Sequence, residues 1–519
     1  MKSGKPKDRI ACNSGAASLP FGRRELAKYT DTPIPRYQGN PLIEALPPIR
    51  SESQISDALA YYPPFDESER ALSPETRIHL IHTILDLLVP FPEHIDLAQR
   101  LSCLICESYT ARNPIAADYW REFRIRMDPD RERATTHARV RSSARGMVLL
   151  GISGGGKTTA TEAGLDLYPQ VIQHSEYRGR PFTWTQLVWL KLQCPHDGSI
   201  RGLCLNFFQT IDELLGTNHY RNYAEGRKTT DELIPAMQRV ASLLSIGILI
   251  IDELQHLDQS KSGGKDRMLN FFTQLVNTMG VPVLFIGTPK AQSVLSREFR
   301  QSRRGTGEGD FVWERLENDE KWKYFLESLW GYQYLRNPAP PSKEVFDVIY
   351  DESQGIVDIA VKLFMLSQVR AVRTGLETLT PAVIRSVARD SLRTIQTALD
   401  ALRRGDYETL AEIPDIQPVD YDAAVRKISN SARLANLSAQ HSPHVVPQPE
   451  PQAAAPSPSE SKLNASNAVL EAVRDLPSAA SLAAIVKQAN AMKTDAHTVF
   501  KAHGLVRDIT QYLEDVTTP

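Results

Sequence analysis

A glycine-rich segment that ends in lysine and threonine carries the clearest chemical signal in the sequence. Residues 151–158 read GISGGGKT, which matches the pattern G-x-x-x-x-G-K-[ST]. Glycines let such a loop curl tightly, so that successive backbone N–H groups point at phosphate oxygens. The apolar run MVLL precedes the loop and a helical pattern follows it, as the motif requires. The segment is therefore predicted to bind the phosphates of ATP, with Lys157 reaching the β- and γ-phosphates.

Two adjacent carboxylates end a fully apolar run at residues 246–251. Charges at the end of a buried strand are costly unless they serve an ion. Asp252 is predicted to hold Mg²⁺ with the Thr158 hydroxyl, directly or through water, and Glu253 to polarise the water that attacks the γ-phosphate. The predicted nucleotide-binding residues are Gly151, Ile152, Ser153, Gly154, Gly155, Gly156, Lys157, Thr158, Thr159 and Asp252.

Two polar features follow the next apolar strand, residues 281–286. Thr288, just beyond its end, is predicted to lie between the two motifs and to sense the γ-phosphate. Further on, residues 302–305 read SRRG. In a ring or filament, an arginine here would reach a neighbouring subunit's nucleotide and neutralise charge in the transition state. Either Arg303 or Arg304 fits this role; a solvated basic turn is the alternative.

The elements around these motifs predict an α/β fold. Apolar strands alternate with helical patterns between residues 147 and 286, which is typical of a parallel sheet covered on both faces. Residues 343–402 are helical only and predict a separate subdomain. Helical spacing at 76–88 and 95–109 predicts a helical region ahead of the main domain.

Composition and pattern divide the chain into segments. The predicted divisions are a flexible N-terminal arm (1–40), a helical N-terminal region (41–140), the α/β core (141–340), a helical subdomain (341–430), a Pro/Ser/Ala-rich linker (431–465) and a small helical module (466–519). About 50 residues are marginal for independent folding, so the module is predicted to dock on a partner.

The composition also limits the function. Sixty Lys and Arg residues against 62 Asp and Glu give a net charge of -2, which excludes a globally cationic nucleic-acid binder but not a local basic surface. Five cysteines are too few for a disulfide framework and favour a reducing compartment. No stretch approaches 18 consecutive apolar residues, so no membrane span and no membrane partner are expected. A cytoplasmic location is predicted.

Together the motifs resemble the AAA+ regulators of DNA transposition of the TnsC/TniB type, and in particular TnsC of transposons with a heteromeric transposase. The resemblance is carried by GISGGGKT, LIIDELQHL, MLNFFTQLVNTMGVPVLFIGTPKA and SRRGTG. The segments NPLIEALPP, CLNFF and SQGIVDIAVKLF extend it over residues 35–410. It does not include a lid arginine after Gly355, where Asp358 stands instead.

The resemblance implies an AAA+ P-loop ATPase with a parallel sheet and a helical lid. It implies that ATP and Mg²⁺ drive assembly of a homo-oligomer, a ring or helical filament, on double-stranded DNA in a bacterial cytoplasm. The implied partners are a target selector of the TnsD/TniQ type and the transposase subunits TnsA and TnsB. Of these, TnsA is the partner expected for the C-terminal module.

Direct DNA contacts are harder to assign from the sequence. The candidates are basic residues on polar stretches between core elements, where the alternative is a solvated face: Arg201, Lys228, Lys261 and Lys265. No recognition helix or zinc finger is evident, so sequence-tolerant binding is expected. A nucleotide-gated switch without a DNA polymer, such as a helicase loader or signalling ATPase, remains the alternative function.

The predicted docking module leads to a truncation experiment. Ending the chain after Gln440 should leave ATP hydrolysis and DNA assembly intact, because the prolines of the linker keep the module extended and away from the core. Recruitment of the transposase in a pull-down assay should be lost. A truncated chain that unfolds, or no longer hydrolyses ATP, would instead mean that the tail folds back on the core as a cap.

Overall fold

The computed structural model describes residues 22–117, 119–120, 123, 146–225, 228–259, 281–291, 309–406, 424–426 and 428–429. Its strands are β1 (Arg24–Leu26), β2 (Gly146–Gly151), β3 (Val171–Tyr177), β4 (Arg180–Leu187), β5 (Trp189–Gln193), β6 (Ile248–Asp252), β7 (Val283–Gly287) and β8 (Gly309–Trp313). Its helices are α1 (Pro41–Glu44), α2 (Glu52–Leu59), α3 (Pro74–Ile81), α4 (Pro92–Thr110), α5 (Lys157–Leu165), α6 (Ile200–Leu215), α7 (His219–Ala224), α8 (Thr230–Leu243), α9 (Glu320–Trp330), α10 (Lys343–Ser353), α11 (Val357–Thr374), α12 (Pro381–Ser391) and α13 (Gln396–Arg404).

A five-stranded parallel sheet forms the centre of the fold. Its strand order is β5-β6-β7-β2-β8, and every neighbouring pair is parallel. The strand that leads into the glycine-rich loop, β2, therefore has β7 beside it and β6 one strand further away. The carboxyl ends of these three strands meet at one edge of the sheet, which confirms the predicted α/β fold.

Both faces of this sheet are covered, because side chains that alternate along each strand enter different cores. On one face, Met147, Leu149, Ile248 and Ile250 pack with helices α1, α2, α4 and α5. On the other face, the intervening side chains pack with α6 and α8; they include Val148, Leu150, Leu249 and Ile251. The near-continuous apolar runs in the sequence are explained by this burial on both faces.

A second, smaller sheet holds the start of the described chain. Strand β1 pairs in parallel with β3, and β3 pairs antiparallel with β4 through a turn at Arg178 and Gly179, whose φ angles of 50° and 76° suit a tight hairpin. Residues 22–40 therefore differ from the flexible arm predicted for 1–40. Strand β1 was not evident from the sequence, because its three residues are exposed and it depends on β3 for its hydrogen bonds.

The helical subdomain has its own core, which also takes in earlier parts of the chain. Helix α9 packs there through Phe325 and Leu326, so the subdomain begins before the predicted boundary at residue 341. Ile78 and Ile81 of α3 pack there too. The predicted N-terminal region (41–140) is thus divided, since α1, α2 and α4 pack on the central sheet and α3 packs on the helical subdomain.

Several predicted elements lie outside the described residues. They are the first 21 residues of the arm, the linker at 431–465 and the module at 466–519. Within the described part of the chain, no helix has the length and apolar character needed to cross a bilayer.

A buried ion pair joins α3 to the helical subdomain. The Arg77 side chain is fully buried, and its guanidinium donates to both carboxylate oxygens of Glu377 at 2.6 Å. The hydrogen bonds from Arg77 lower the pKa of Glu377 against the opposing effect of burial. Glu377 also has a positive φ of 55° and accepts from the backbone N–H of Arg336. The pair therefore fixes a loop of the subdomain against the N-terminal segment.

We expect Glu377→Gln to lower the free energy of unfolding by about 3 kcal/mol, because it leaves the buried Arg77 charge without its carboxylate. Because the folded-state pKa is lowered, the carboxylate stabilises above its unfolded pKa, and this contribution is lost as the pH falls through the folded pKa. The difference between wild type and variant, measured by urea unfolding, should therefore shrink in acid.

The matched control for this experiment is Glu75→Gln. Glu75 is 70% exposed and lies 3.9 Å from Arg373, so its loss should change the free energy of unfolding by less than about 0.5 kcal/mol. Equal effects of the two substitutions would contradict the role given to the buried pair.

Candidate nucleotide-binding and hydrolysis site

The glycine-rich loop connects β2 to α5 at the carboxyl edge of the central sheet. Gly154 and Gly156 have φ angles of 76° and 96°, values that favour glycine, and Gly156 is the N-cap residue of α5. Trp313, at the end of β8, donates its indole N–H to the Gly155 carbonyl at 2.7 Å and holds the loop from the side. The first N–H groups of a helix have no partners within the helix itself, so those at the start of α5 suit phosphate oxygens.

Lys157 is buried at the base of this loop. Its Nζ donates to the carbonyl oxygens of Gly151 at 2.7 Å and Ile152 at 2.8 Å. The ammonium is therefore held beneath the loop, within the segment predicted to surround the phosphates.

Asp252 lies at the end of β6 and accepts hydrogen bonds from three protein groups. Its Oδ2 accepts from Thr158 Oγ1 at 3.1 Å and lies 3.1 Å from Lys191 Nζ, and its Oδ1 accepts from the backbone N–H of Glu253 at 2.9 Å. The structure thus brings together the two residues predicted to hold Mg²⁺.

The chemistry of this pair fits Mg²⁺. One carboxylate and one hydroxyl are a suitable protein contribution, because Mg²⁺ retains waters and binds nucleotide phosphates. No group of three or more His, Cys, Asp or Glu side chains in the described part of the chain is arranged to hold a metal. Most ligands of a Mg²⁺ ion here would therefore come from phosphate and water.

Lys191, on β5, brings a second ammonium group to the site, where it contacts Asp252. Its Nζ also donates to Glu162 Oε1 of α5 at 2.6 Å. Burial alone would lower the pKa of Lys191, but the hydrogen bond to Glu162 and the charge of Asp252 outweigh it and raise the pKa above its ordinary value. The ammonium is therefore charged at neutral pH.

Glu253 has an unusual backbone conformation and a specific partner. Its φ of 61° is in the left-handed region, which costs a non-glycine residue about 1–3 kcal/mol. Gln255 Nε2 donates to its carboxylate, and Gln255 Oε1 accepts from the backbone N–H of Thr288 at 3.2 Å. One amide side chain therefore connects Glu253 to the end of β7.

Thr288 lies just beyond β7, between the ends of β2 and β6. It is buried, and its Oγ1 has no hydrogen-bond partner among the described residues. An unpaired buried hydroxyl costs about 1–3 kcal/mol, so one on a residue that lines a cleft suggests a ligand contact. Its position is the one that the sequence predicted.

Except for Lys191 and Glu162, the side chains described above line a cleft of about 620 Å³. The glycine-rich loop, the ends of β6 and β7 and the start of α11 form its polar part. Apolar side chains of Leu87, Val89, Phe325 and Val361 line another part, which suits a flat aromatic base. Burial lowers the pKa of His94, also in the wall, to about 4, so this imidazole is neutral at physiological pH.

The helical subdomain contacts the glycine-rich loop directly. The backbone N–H of Asp358 donates to the Gly154 carbonyl at 3.1 Å, and the Asp358 carboxylate pairs with Lys362 at 2.9 Å. Arg315 also lines the cleft, and its guanidinium donates to the Gln354 carbonyl at 2.9 Å. Gly355 has a φ of 74°, and a Cβ there would lie 1.9 Å from the Leu316 carbonyl oxygen, so only glycine fits.

The remaining predicted site residues lie away from the cleft or outside the described residues. Arg201 is in the first turn of α6, and Lys228, ahead of α8, holds its Nζ 4.5 Å from the centre of the Tyr223 ring. Arg303, Arg304, Lys261 and Lys265 lie outside the described residues. The roles assigned to them stay predictions.

Four residues of the site were missed by the sequence analysis: Lys191, Gln255, Trp313 and Arg315. Gln255 could have been found, since it follows the paired carboxylates directly. The other three reach the site from β5 or from the end of β8, and no local pattern identifies them.

Residues 140–295 match the family model described as an AAA domain. The chain therefore has a P-loop AAA+ fold and is an ATPase. A search of curated proteins gave no match.

Solved structures give low-scoring similarities. The Walker-type ATPase of Pyrococcus abyssi is 15% identical, with 53% of this chain and 78% of that chain covered and a TM-score of 0.33. The ORC1 protein of Aeropyrum pernix, solved in complex with DNA, is 14% identical. The match covers 56% of this chain and 77% of that chain, with a TM-score of 0.35. Drosophila ORC bound to DNA is 10% identical. The match covers 71% of this chain and 92% of that chain, with a TM-score of 0.30.

Removing the unpaired hydroxyl of Thr288 distinguishes a ligand contact from a structural role. Thr288→Val should leave the free energy of unfolding unchanged or raise it, because it removes an unsatisfied buried group. ATP hydrolysis should fall by about 10–100-fold, because a polar contact to the reacting phosphate is lost. Phosphate release and urea unfolding measure the two effects.

Thr288→Ser is the matched control, since it keeps the hydroxyl and removes only a methyl group. It should retain most of the hydrolysis. A valine variant that hydrolyses ATP at the wild-type rate would exclude Thr288 from the reaction.

Proposed function

We propose that this ATPase is a regulator of DNA transposition of the TnsC/TniB type, which assembles on double-stranded DNA when it binds ATP and Mg²⁺. It links a target selector of the TnsD/TniQ type to the transposase subunits TnsA and TnsB. ATP hydrolysis then controls how long the assembly persists.

The observation that carries the nucleotide-dependent part of this proposal is the meeting of three strand ends. Lys157 follows β2 through the glycine-rich loop, Asp252 and Glu253 lie at the end of β6, and Thr288 lies just beyond β7. All four line one cleft. The transposition role itself is supported by the sequence resemblance, above all by the block at residues 248–290.

The chemistry of hydrolysis follows from the positions of these residues. The loop N–H groups and Lys157 bind and orient the phosphates. When bound, Mg²⁺ neutralises phosphate charge beside Thr158 and Asp252. Glu253 accepts a proton from the attacking water, and the hydrogen bond from Gln255 to its Oε2 holds the carboxylate in place. The Thr288 hydroxyl holds the γ-phosphate or the water in line.

Assembly completes the site in this proposal. Arg303 or Arg304 of one subunit reaches the nucleotide of its neighbour, so that oligomerisation and ATP binding stabilise each other. Each subunit adds a few phosphate contacts to DNA, for which Arg201, Lys228, Lys261 and Lys265 are the candidates. The polymer sums these contacts, so a chain with a net charge of -2 can bind DNA tightly.

Two variants separate ATP binding from hydrolysis. Glu253→Gln should slow hydrolysis by at least about 100-fold and hold the chain on duplex DNA whenever ATP and Mg²⁺ are present. Lys157→Ala should prevent nucleotide-dependent DNA binding. Phosphate release measures hydrolysis, and fluorescence anisotropy of labelled duplexes of unrelated sequence measures DNA binding. DNA binding should weaken steeply between 50 and 200 mM salt, as about six or more phosphate contacts would predict.

Glu225→Gln is the control, because Glu225 is exposed and its carboxylate pairs with Arg221 on the surface. It should behave as wild type in both assays. ATP hydrolysis without any ATP-dependent DNA binding would overturn the proposal and favour a nucleotide-gated switch that needs no DNA polymer. A strong preference for one short DNA sequence would also contradict it.

A further inference from the structure

An ammonium group of the protein lies beside Asp252, the carboxylate predicted to hold Mg²⁺. Lys191 Nζ lies 2.6 Å from Glu162 Oε1 and 3.1 Å from Asp252 Oδ2. The Lys191 side chain is 17% exposed and that of Asp252 only 5%. The attraction between the two charges is therefore screened much less than at a surface pair.

The carboxylate oxygen that Lys191 contacts is also the one that faces Thr158. Asp252 Oδ2 accepts from the Thr158 hydroxyl, while Oδ1 is taken by the backbone N–H of Glu253. Both oxygens thus have protein partners. A divalent cation that binds this carboxylate has to share Oδ2 with the ammonium or displace it.

We propose that Lys191 is an internal counter-cation of the Mg²⁺ site, which orients Asp252 and sets the Mg²⁺ concentration at which ATP binds. This inference rests on the proposed role of Asp252 at that site. Lys191 acts through Asp252 and is a positioning residue. Its charge opposes the entry of Mg²⁺, and its hydrogen bond keeps Asp252 turned toward Thr158.

Glu162 adjusts the strength of this effect, because it competes with Asp252 for the same ammonium. Glu162 is half exposed and lies on α5, one helical turn beyond Thr158. Without the Glu162 charge, the ammonium would interact with Asp252 alone and hold it more tightly. Without the Lys191 charge, Asp252 and Glu162 would attract Mg²⁺ together. The two substitutions should therefore shift the Mg²⁺ requirement in opposite directions.

The test measures binding of a fluorescent ATP analogue to the full chain while Mg²⁺ is varied. Lys191→Met keeps the aliphatic stem and should lower the half-saturating Mg²⁺ concentration by about three- to tenfold. Glu162→Gln should raise it by about two- to fivefold. Lys191→Arg keeps the charge and should stay within about twofold of wild type.

A second measurement needs no nucleotide. Removing Lys191 leaves two carboxylates without their cation, so Lys191→Met should lower the melting temperature in the absence of Mg²⁺. Added Mg²⁺ should then raise the melting temperature more in Lys191→Met than in wild type. A purely structural ion pair would give the loss of stability without this larger response to Mg²⁺.

The outcomes separate this inference from the proposed function. If wild type needs Mg²⁺ but Lys191→Met needs the same amount or more, the counter-cation role is wrong and the Mg²⁺ site stands. If wild type binds the analogue and hydrolyses ATP equally well without Mg²⁺, the assignment of Asp252 fails, and this inference fails with it. If Lys191→Met does not fold, Glu162→Gln decides alone, and an unchanged Mg²⁺ requirement there overturns the proposal.

Discussion

The parallel register of the central sheet is the constraint on which the rest of the structure depends. Because β6, β7 and β2 run in the same direction and lie side by side, their carboxyl ends meet at one edge. A slip of one residue in any of them would exchange the side chains of the two cores, since alternate residues face opposite sides. The apolar sequence of these strands therefore fixes the position of the polar residues that follow them.

Charge balance is the second requirement of this edge of the sheet. Two ammonium groups, Lys157 and Lys191, lie among carbonyl oxygens and carboxylates, and Gln255 connects Glu253 to the backbone at Thr288. The two ammonium groups and the Glu253 carboxylate thus have partners within the chain, whereas the Thr288 hydroxyl has none among the described residues. This hydroxyl and the left-handed backbone at Glu253 are both features of the site that lower the stability of the fold.

Much of this arrangement could be predicted from the sequence. The glycine-rich loop, the paired carboxylates and Thr288 each follow an apolar run, so local pattern located them and the logic of parallel sheets brought them together. The alternation of strands and helices between residues 147 and 286 was also predicted, and α6 and α8 lie within it.

What could not be predicted depends on contacts between distant parts of the chain. Trp313 supports a loop 158 positions earlier, and Arg77 pairs with a carboxylate 300 positions later. Strand β1 is too short to be recognised without its partner. Residues 186–192 (QLVWLKL) have a β-type composition but belong to two strands in different sheets, because the chain passes from the small sheet to the central one near Val188.

Our central claim is that the carboxyl ends of β2, β6 and β7 form one ATP site. A structure of the full chain bound to duplex DNA, Mg²⁺ and a non-hydrolysable ATP analogue tests it most directly. The account predicts that Lys157 Nζ leaves the carbonyls of Gly151 and Ile152 for the phosphates, and that Thr288 Oγ1 lies within hydrogen-bond distance of the γ-phosphate or of a water beside it. A nucleotide bound elsewhere, or phosphates in this cleft with Thr288 still unpaired and Lys157 still on the carbonyls, would contradict the account.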